Sequence, residues 1–184
     1  MEFLEGNIYH IYNRGNDSMN IFFNARNYLF FLDKVAKHIC KHSELLAYCL
    51  MPNHFHFMVY IKEGPEPTQL NNEIAILLRS YTRAINEQEN RTGSLFQQKT
   101  KAKNVTEHSL ICLNYIHQNP LRAGLTSNLE DWLYSSYREY LGTAEENYAN
   151  IDLARKLLQL PGQSKFVELS NEIVNDKRKS EIFL

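Results

Sequence analysis

The run Met51-Pro52-Asn53-His54-Phe55-His56-Phe57-Met58-Val59-Tyr60 sets two imidazoles on either side of one bulky apolar residue. In a strand, side chains at i and i+2 share a face, so His54 and His56 point one way while Phe55 and Phe57 point into the core. Two neutral imidazoles held side by side make half of a metal site. Hydrogen-bonded core or surface histidines would give the same pattern, so a metal site also needs a partner elsewhere in the chain.

That partner stands in Asn114-Tyr115-Ile116-His117-Gln118-Asn119-Pro120. Tyr115 and Asn119 are four residues apart and share one helical face about one turn apart. A helix beside the histidine strand would present a phenol hydroxyl and an amide oxygen together. This combination suggests metal-assisted phosphoryl transfer with tyrosine as nucleophile. A phenol with a pKa of roughly 10 is a weak nucleophile at neutral pH, and both it and the phosphate gain from a nearby divalent cation. Two imidazoles and a carbonyl oxygen leave open coordination positions and suit Mg or Mn without excluding other metals. The plain alternative is a packing tyrosine with its ring in the core, and an asparagine that only ends a helix before Pro120.

The elements that must position these groups read as a split βαβ arrangement. Residues 8 to 14 form a short strand ending at the Gly15-Asn16-Asp17 turn, and residues 25 to 42 form an amphipathic helix through Tyr28, Phe31, Leu32, Val35 and Ile39. A hairpin of residues 45 to 61 follows, reversed at Pro52-Asn53, with Leu46, Tyr48 and Leu50 alternating before the turn and Val59 and Ile61 after it. Gly64-Pro65-Glu66-Pro67 breaks the chain, and Thr68 can cap a long helix through Leu70, Ile74, Leu77, Leu78, Tyr81 and Ile85. That helix ends at Thr92-Gly93-Ser94, a basic strand runs near residues 97 to 105, and the tyrosine helix starts at a Thr106 cap and stops near Asn119. Four strands with two helices on one side give an α+β, ferredoxin-like antiparallel sheet, with an added helix carrying Tyr115.

Four ordered motifs resemble the REP-associated tyrosine transposases, a branch of the single-tyrosine transposases in the His-hydrophobe-His endonuclease superfamily. They are Tyr9-His10-Ile11-Tyr12-Asn13-Arg14-Gly15-Asn16; Ala47-Tyr48-Cys49-Leu50-Met51-Pro52-Asn53-His54-Phe55-His56; Tyr115-Ile116-His117-Gln118-Asn119-Pro120-Leu121-Arg122-Ala123-Gly124; and Trp132-Leu133-Tyr134-Ser135-Ser136-Tyr137. The resemblance covers about residues 6 to 142 and implies the same ferredoxin-like fold. It also implies cleavage of single-stranded DNA beside a palindromic hairpin, a 5′-phosphotyrosine link, a free 3′-hydroxyl and a divalent metal on the scissile phosphate. Carried over by position, Tyr115 matches the nucleophile and His54 and His56 the metal histidines. Asn119 falls where related enzymes place a polar third ligand, with His117 and Gln118 as competing neighbours. At about 100° per residue, Asn119 lies about 40° round from Tyr115, against about 200° for His117 and about 300° for Gln118, which favours Asn119.

Composition is consistent with this reading. The 184 residues, 43% of them hydrophobic and 12% aromatic, suffice for one domain with its own core, expected over residues 1-142, followed by a helical extension over 143-184. Cys40, Cys49 and Cys112 lie in apolar patterns without metal-type spacing, so they are expected as reduced, buried thiols. No apolar run reaches membrane-spanning length and the first residues are acidic, so no membrane partner and a cytoplasmic location are expected.

The net charge of −1 is unevenly distributed. Between residues 79 and 103, Arg79, Arg83, Arg91, Lys99, Lys101 and Lys103 face only Glu87 and Glu89, with Tyr81 and Phe96 among them. Lys99, Lys101 and Lys103 alternate as one face of a strand, a pattern suited to phosphates and stacked bases. Asn13 and Arg14 at the end of the first strand, and Arg122 beyond the tyrosine helix, are further candidates for DNA contact, while Trp132 and Tyr137 read as loop anchors. Lys177-Arg178-Lys179 reads as a solvated tail or a phosphate contact. Monomer and homodimer both fit the sequence. Two other functions compete: a non-catalytic hairpin-binding or RNA-binding module, and a metal-dependent hydrolase in which water attacks.

Overall fold

The computed structural model describes residues 2–64, 67–172 and 174. Strands β1 (Ile8–Arg14), β2 (Ser43–Met51), β3 (His54–Ile61) and β4 (Lys101–Asn104) form one sheet in the order β2-β3-β1-β4, every pair antiparallel. This is the order of a ferredoxin-like sheet, the fold expected. Two hydrophobic cores lie on its two faces. Helices α1 (Ala25–His38) and α2 (Pro67–Gln88) cover the first, packing Phe31, Val35, Leu77 and Tyr81 against Phe55, Phe57 and Ile11. Helix α3 (Ser109–Arg122) covers the second with Cys112, Leu113 and Ile116 against Cys49, Met51 and Met58. Helices α4 (Tyr137–Leu141), α5 (Ile151–Leu157) and α6 (Gln163–Asn171) complete that core through Tyr140, Ala154 and Phe166.

Alternation fixes which groups reach α3. Phe55 and Phe57 bury their rings under α1, so His54 and His56 must face the other way. Losing either ring would cost about 3–5 kcal/mol. The two-residue Pro52-Asn53 connection is clamped from outside: Gly15 N donates to Asn53 O at 2.8 Å, and Ile21 N and Phe22 N donate to Pro52 O at 2.7 and 3.1 Å. At Gly15 a Cβ would lie 2.1 Å from Met19 O, so only glycine lets the β1 end reach the hairpin turn.

Several sequence expectations shift. Leu46 does not share a face with Tyr48 and Leu50: a β-bulge between Leu45 and Ala47 inserts one residue and sends Leu46 into the α3 core. Helix α1 stops at His38 rather than residue 42, and the Ser43 hydroxyl donates to Ile39 O at the turn that follows. Helix α2 already includes Thr68, so Thr68 is no cap, and it ends at Gln88 ahead of the expected Thr92. Strand β4 is shorter than residues 97 to 105, leaving Lys99 in the strap that leads into it.

Thr106 does not cap α3. A short 3-10 turn over Thr106–His108 comes first, and the Thr106 hydroxyl accepts from Ile8 N at 3.0 Å. Helix α3 also runs past Pro120 to Arg122. The missing Pro120 N–H would have bonded Ile116 O, and Asn119 Nδ2 reaches that carbonyl at 3.5 Å after its main bond to Tyr115 O at 2.8 Å. Cys49 and Cys112 are buried and Cys40 is only half-buried; all three are free thiols. Lys177, Arg178 and Lys179 lie outside the described residues. No described helix is long and apolar enough to cross a membrane.

Candidate active site

Cross-strand register assembles the floor of the site. Tyr12 pairs directly with His56 and Arg14 with His54, while Lys101 pairs with Tyr12 and Lys103 with His10 on the other side of β1. All these positions face α3 or the open edge beside it. The Lys101 ammonium lies 5.9 Å from the Tyr12 ring centroid, a cation–π distance.

The two imidazoles are held in defined orientations. His54 Nδ1 is 2.6 Å from Asn53 Oδ1, and the Asn53 amide is itself oriented by Nδ2 donating to Ser18 O at 3.2 Å. His54 therefore carries its proton on Nδ1 and its lone pair on Nε2. His56 Nδ1 contacts His10 Nε2 at 2.9 Å, and His56 Nε2 is buried without a well-aligned hydrogen-bond partner. Burial lowers the His54 pKa, with Arg14 adding to the effect and Asn119 opposing it. Burial pushes His56 well below its usual value, helped by His10 and His54 and opposed by Asn119. Both rings are thus neutral at pH 7, the form that binds metal.

Helix α3 lays Tyr115 and Asn119 over this pair. The Tyr115 ring meets His56 edge-on at 5.6 Å between centroids and His10 at 6.2 Å. Both hydrogens of Asn119 Nδ2 point back at helix carbonyls, so its Oδ1 is the atom left to face the histidines. The pull of Asn119 on His54, His56 and Tyr115 alike places its amide among all three. Burial raises the Tyr115 pKa, against the lowering effects of Arg122 and Asn119. Left alone, the phenol keeps its proton at neutral pH.

Gln118 and His117 are turned elsewhere. Gln118 Nε2 donates to Ser170 O at 2.9 Å and Glu172 O at 2.7 Å, and Gln118 Oε1 accepts from Val174 N at 3.0 Å. His117 is buried between Tyr137 and Tyr140, with Nε2 2.9 Å from Ser136 Oγ. Neither can reach the His54/His56 pair. Among the described residues no group of three or more His, Cys, Asp or Glu side chains could hold a metal, so a cation here would depend on the Asn119 oxygen. The donor set fits one: an imidazole Nε2 fixed by its Nδ1 bond, a buried unpartnered Nε2 and an outward amide oxygen.

A cavity of about 270 Å³ opens over these groups, lined by Tyr12, Asn13, Arg14, Asn53, His54, His56, Gln97, Lys99, Lys101 and Tyr115. A larger cleft of about 880 Å³ between α2 and the β4 strap holds Arg79 and Arg83 and shares Asn13, Gln97 and Lys99 with the first. Asn13 ties the two together: its Nδ2 donates to Gln97 O at 3.1 Å and to Thr100 Oγ1 at 3.0 Å, holding the strap that carries Lys99. Lys103 is half-exposed and lines neither cavity, and Arg122 donates to Val174 O at 2.6 Å at the end of α3. Trp132 anchors its loop by donating to Leu50 O at 3.0 Å, and Tyr137 is buried against Phe166. His10, Tyr12, Asn53 and Gln97 were not singled out from sequence. The signal for two of them was present, since alternation through His10, Tyr12 and Arg14 puts all three on one face.

A family model described as "Transposase IS200 like" matches residues 5–119. A Haemophilus influenzae protein named as a REP-associated tyrosine transposase is 27% identical over 118 positions, covering 55% of this chain and 64% of the relative. The match spans just under two thirds of that relative's length. A solved structure of a REP-associated tyrosine transposase bound to a REP hairpin superposes with a TM-score of 0.62 at 15% identity, covering 81% of this chain and 87% of that one. That likeness establishes a shared fold.

Proposed function

The chain belongs to the family of IS200-like transposases, and we propose that it cuts and rejoins single-stranded DNA beside palindromic hairpins through Tyr115. One observation carries this reading: His54 and His56 from β3 and Tyr115 from α3 line one cavity edged by Arg14, Lys99 and Lys101, with Asn119 interacting with all three just behind them. A binding module has no need of this convergence.

The Tyr115 oxygen attacks the scissile phosphorus, forming a Tyr–O–P bond as the P–O3′ bond breaks. The phenol proton passes to water in the open cavity, and the departing 3′ oxygen takes one up. DNA is left as a 5′-phosphotyrosine with a free 3′-hydroxyl, and a second 3′-hydroxyl can reverse the step. A divalent cation, Mg or Mn, held by His54, His56 and Asn119, would polarise the phosphate and offset the burial that raises the Tyr115 pKa. Arg14, Lys99 and Lys101 receive neighbouring phosphates, and the strand continues into the cleft of Arg79 and Arg83 across the shared Asn13, Gln97 and Lys99. Beyond the sheet, the backbone of Ser170, Glu172 and Val174 braces α3 through Gln118 and Arg122.

Labelled single strands bearing palindromes from the protein's genomic neighbourhood test the reading. Cleavage beside the hairpin in Mg or Mn, with no cutting of the fully paired duplex, is the expected result. Hairpin binding with no cleavage in any metal would favour the binding module, and cleavage without a protein-linked product would favour attack by water.

A further inference from the structure

His10 is wholly buried at the centre of the sheet face under α3. Its ring stacks on Tyr12 at 4.7 Å and on His56 at 5.0 Å, and Tyr115 meets it edge-on at 6.2 Å. The 2.9 Å contact between His10 Nε2 and His56 Nδ1 is of hydrogen-bond length, so one proton lies between the two nitrogens. That proton has two homes. On His10 Nε2, it makes His56 Nδ1 the acceptor and forces the His56 proton onto Nε2, where it would face the Asn119 amide and repel a cation. On His56 Nδ1, it leaves the His56 Nε2 lone pair free.

We propose that His10 is a positioning residue whose Nε2 accepts from His56 Nδ1–H and thereby holds His56 in the tautomer that offers its Nε2 lone pair to a cation. The proposal rests on reading His54 and His56 as metal ligands. His54 supplies the precedent within the same site: Asn53 Oδ1 accepts from its Nδ1 at 2.6 Å and frees its Nε2 in the same sense. Each imidazole then has its own acceptor behind it, one from the hairpin turn and one from β1. Stacking on both Tyr12 and His56 keeps the His10 ring from turning away.

Long-range ¹H–¹⁵N spectra of histidine-labelled, metal-free protein read the tautomer directly. Wild-type His56 is expected as Nδ1–H. His10→Phe keeps the ring volume but removes the acceptor, and should move His56 toward Nε2–H and weaken Mn(II) binding about 10- to 100-fold. His10→Gln, which can place an amide oxygen near His56 Nδ1, should restore most of both. Nε2–H in the wild type, or a His56 tautomer unchanged in a folded His10→Phe protein, would overturn the proposal. If His10→Phe does not fold, the wild-type spectrum still decides. If the wild type binds no Mn(II) while His56 is held as Nδ1–H, the metal reading fails and the orienting bond survives it.

Discussion

Gln118 and Asn119 are adjacent in the chain and face different sides of α3: the Gln118 amide is saturated by the backbone at Ser170, Glu172 and Val174, whereas Asn119 turns its oxygen toward His54 and His56. Helical rotation of about 100° per residue produces this split. One residue ties the tyrosine helix to the C-terminal segment, and the next completes the site.

The two amides should therefore fail differently. Asn119→Ala is expected to weaken Mn(II) binding and DNA cleavage while costing about 1 kcal/mol of stability from the lost carbonyl bonds. Gln118→Ala leaves buried carbonyls and an N–H unpaired and should cost about 1–3 kcal/mol, with Mn(II) affinity of the folded protein retained. Titration calorimetry and urea unfolding on both variants check the pair. Equal loss of metal binding would contradict the assignment of Asn119 over Gln118.

Ser136 is the joint between α3 and β2. Its hydroxyl accepts from Tyr48 N at 3.0 Å and meets His117 Nε2 at 2.9 Å, all three groups buried. Ser136→Ala removes one oxygen and strands two buried polar groups, an expected loss of about 1–3 kcal/mol. Urea midpoints read this, and a change below about 0.5 kcal/mol would show that the joint carries nothing.

Glu73 on α2 bridges to the end of α1, accepting from His38 Nδ1 at 2.7 Å and Lys41 Nζ at 3.2 Å. The His38 hydrogen bond, the largest effect, holds its carboxyl below its usual value of 4.5; burial opposes it, and Lys41 adds to the lowering. A depressed folded-state pKa favours folding in the ionised form. Its contribution is thus full above the unfolded value and disappears as pH falls through the lower folded value. Glu73→Gln should be less stable than wild type at about pH 6, and the gap should narrow as the pH falls below 4.5 toward about pH 3. A gap of the same size at both pH values would contradict this.

Lys99 and Lys101 edge the small cavity and are exposed. If each neutralises one phosphate, Lys99→Gln or Lys101→Gln should shallow the plot of log K against log salt by about 0.7 for a single strand. The loss should be similar for different sequences. Fluorescence anisotropy at several salt concentrations reads the slope, and an unchanged slope would remove that lysine from the DNA path.

The succession of strands and helices, the faces of His54 and His56 and the Tyr115/Asn119 pairing were legible because each depends on local period: two for the strands, 3.6 for the helices. Leu46 was misplaced because a bulge breaks the period without changing composition. The run of α3 past Pro120 was hidden because the Asn119 side chain, read as a ligand or as a helix terminator, reaches the Ile116 carbonyl that the proline leaves without its N–H. His10 stood within a quoted motif, but its bond to His56 depends on the β1/β3 register, which pairs Tyr12 with His56 and sets His10 one step along the same face. The different roles of Asn13, which holds the strap and lines both cavities, and Arg14, which lines only the small one, likewise require the 97–100 segment to be in place.

The most direct test of the central claim is peptide mapping of a covalent adduct. The protein is incubated with hairpin-bearing single-stranded DNA and Mn(II), denatured, digested and sequenced by mass spectrometry, beside Tyr115→Phe. A nucleotide phosphate attached to Tyr115 through the 5′ side of the break, absent from a variant that still binds the hairpin, is the predicted result. DNA cleaved by both proteins with no adduct on either would contradict it.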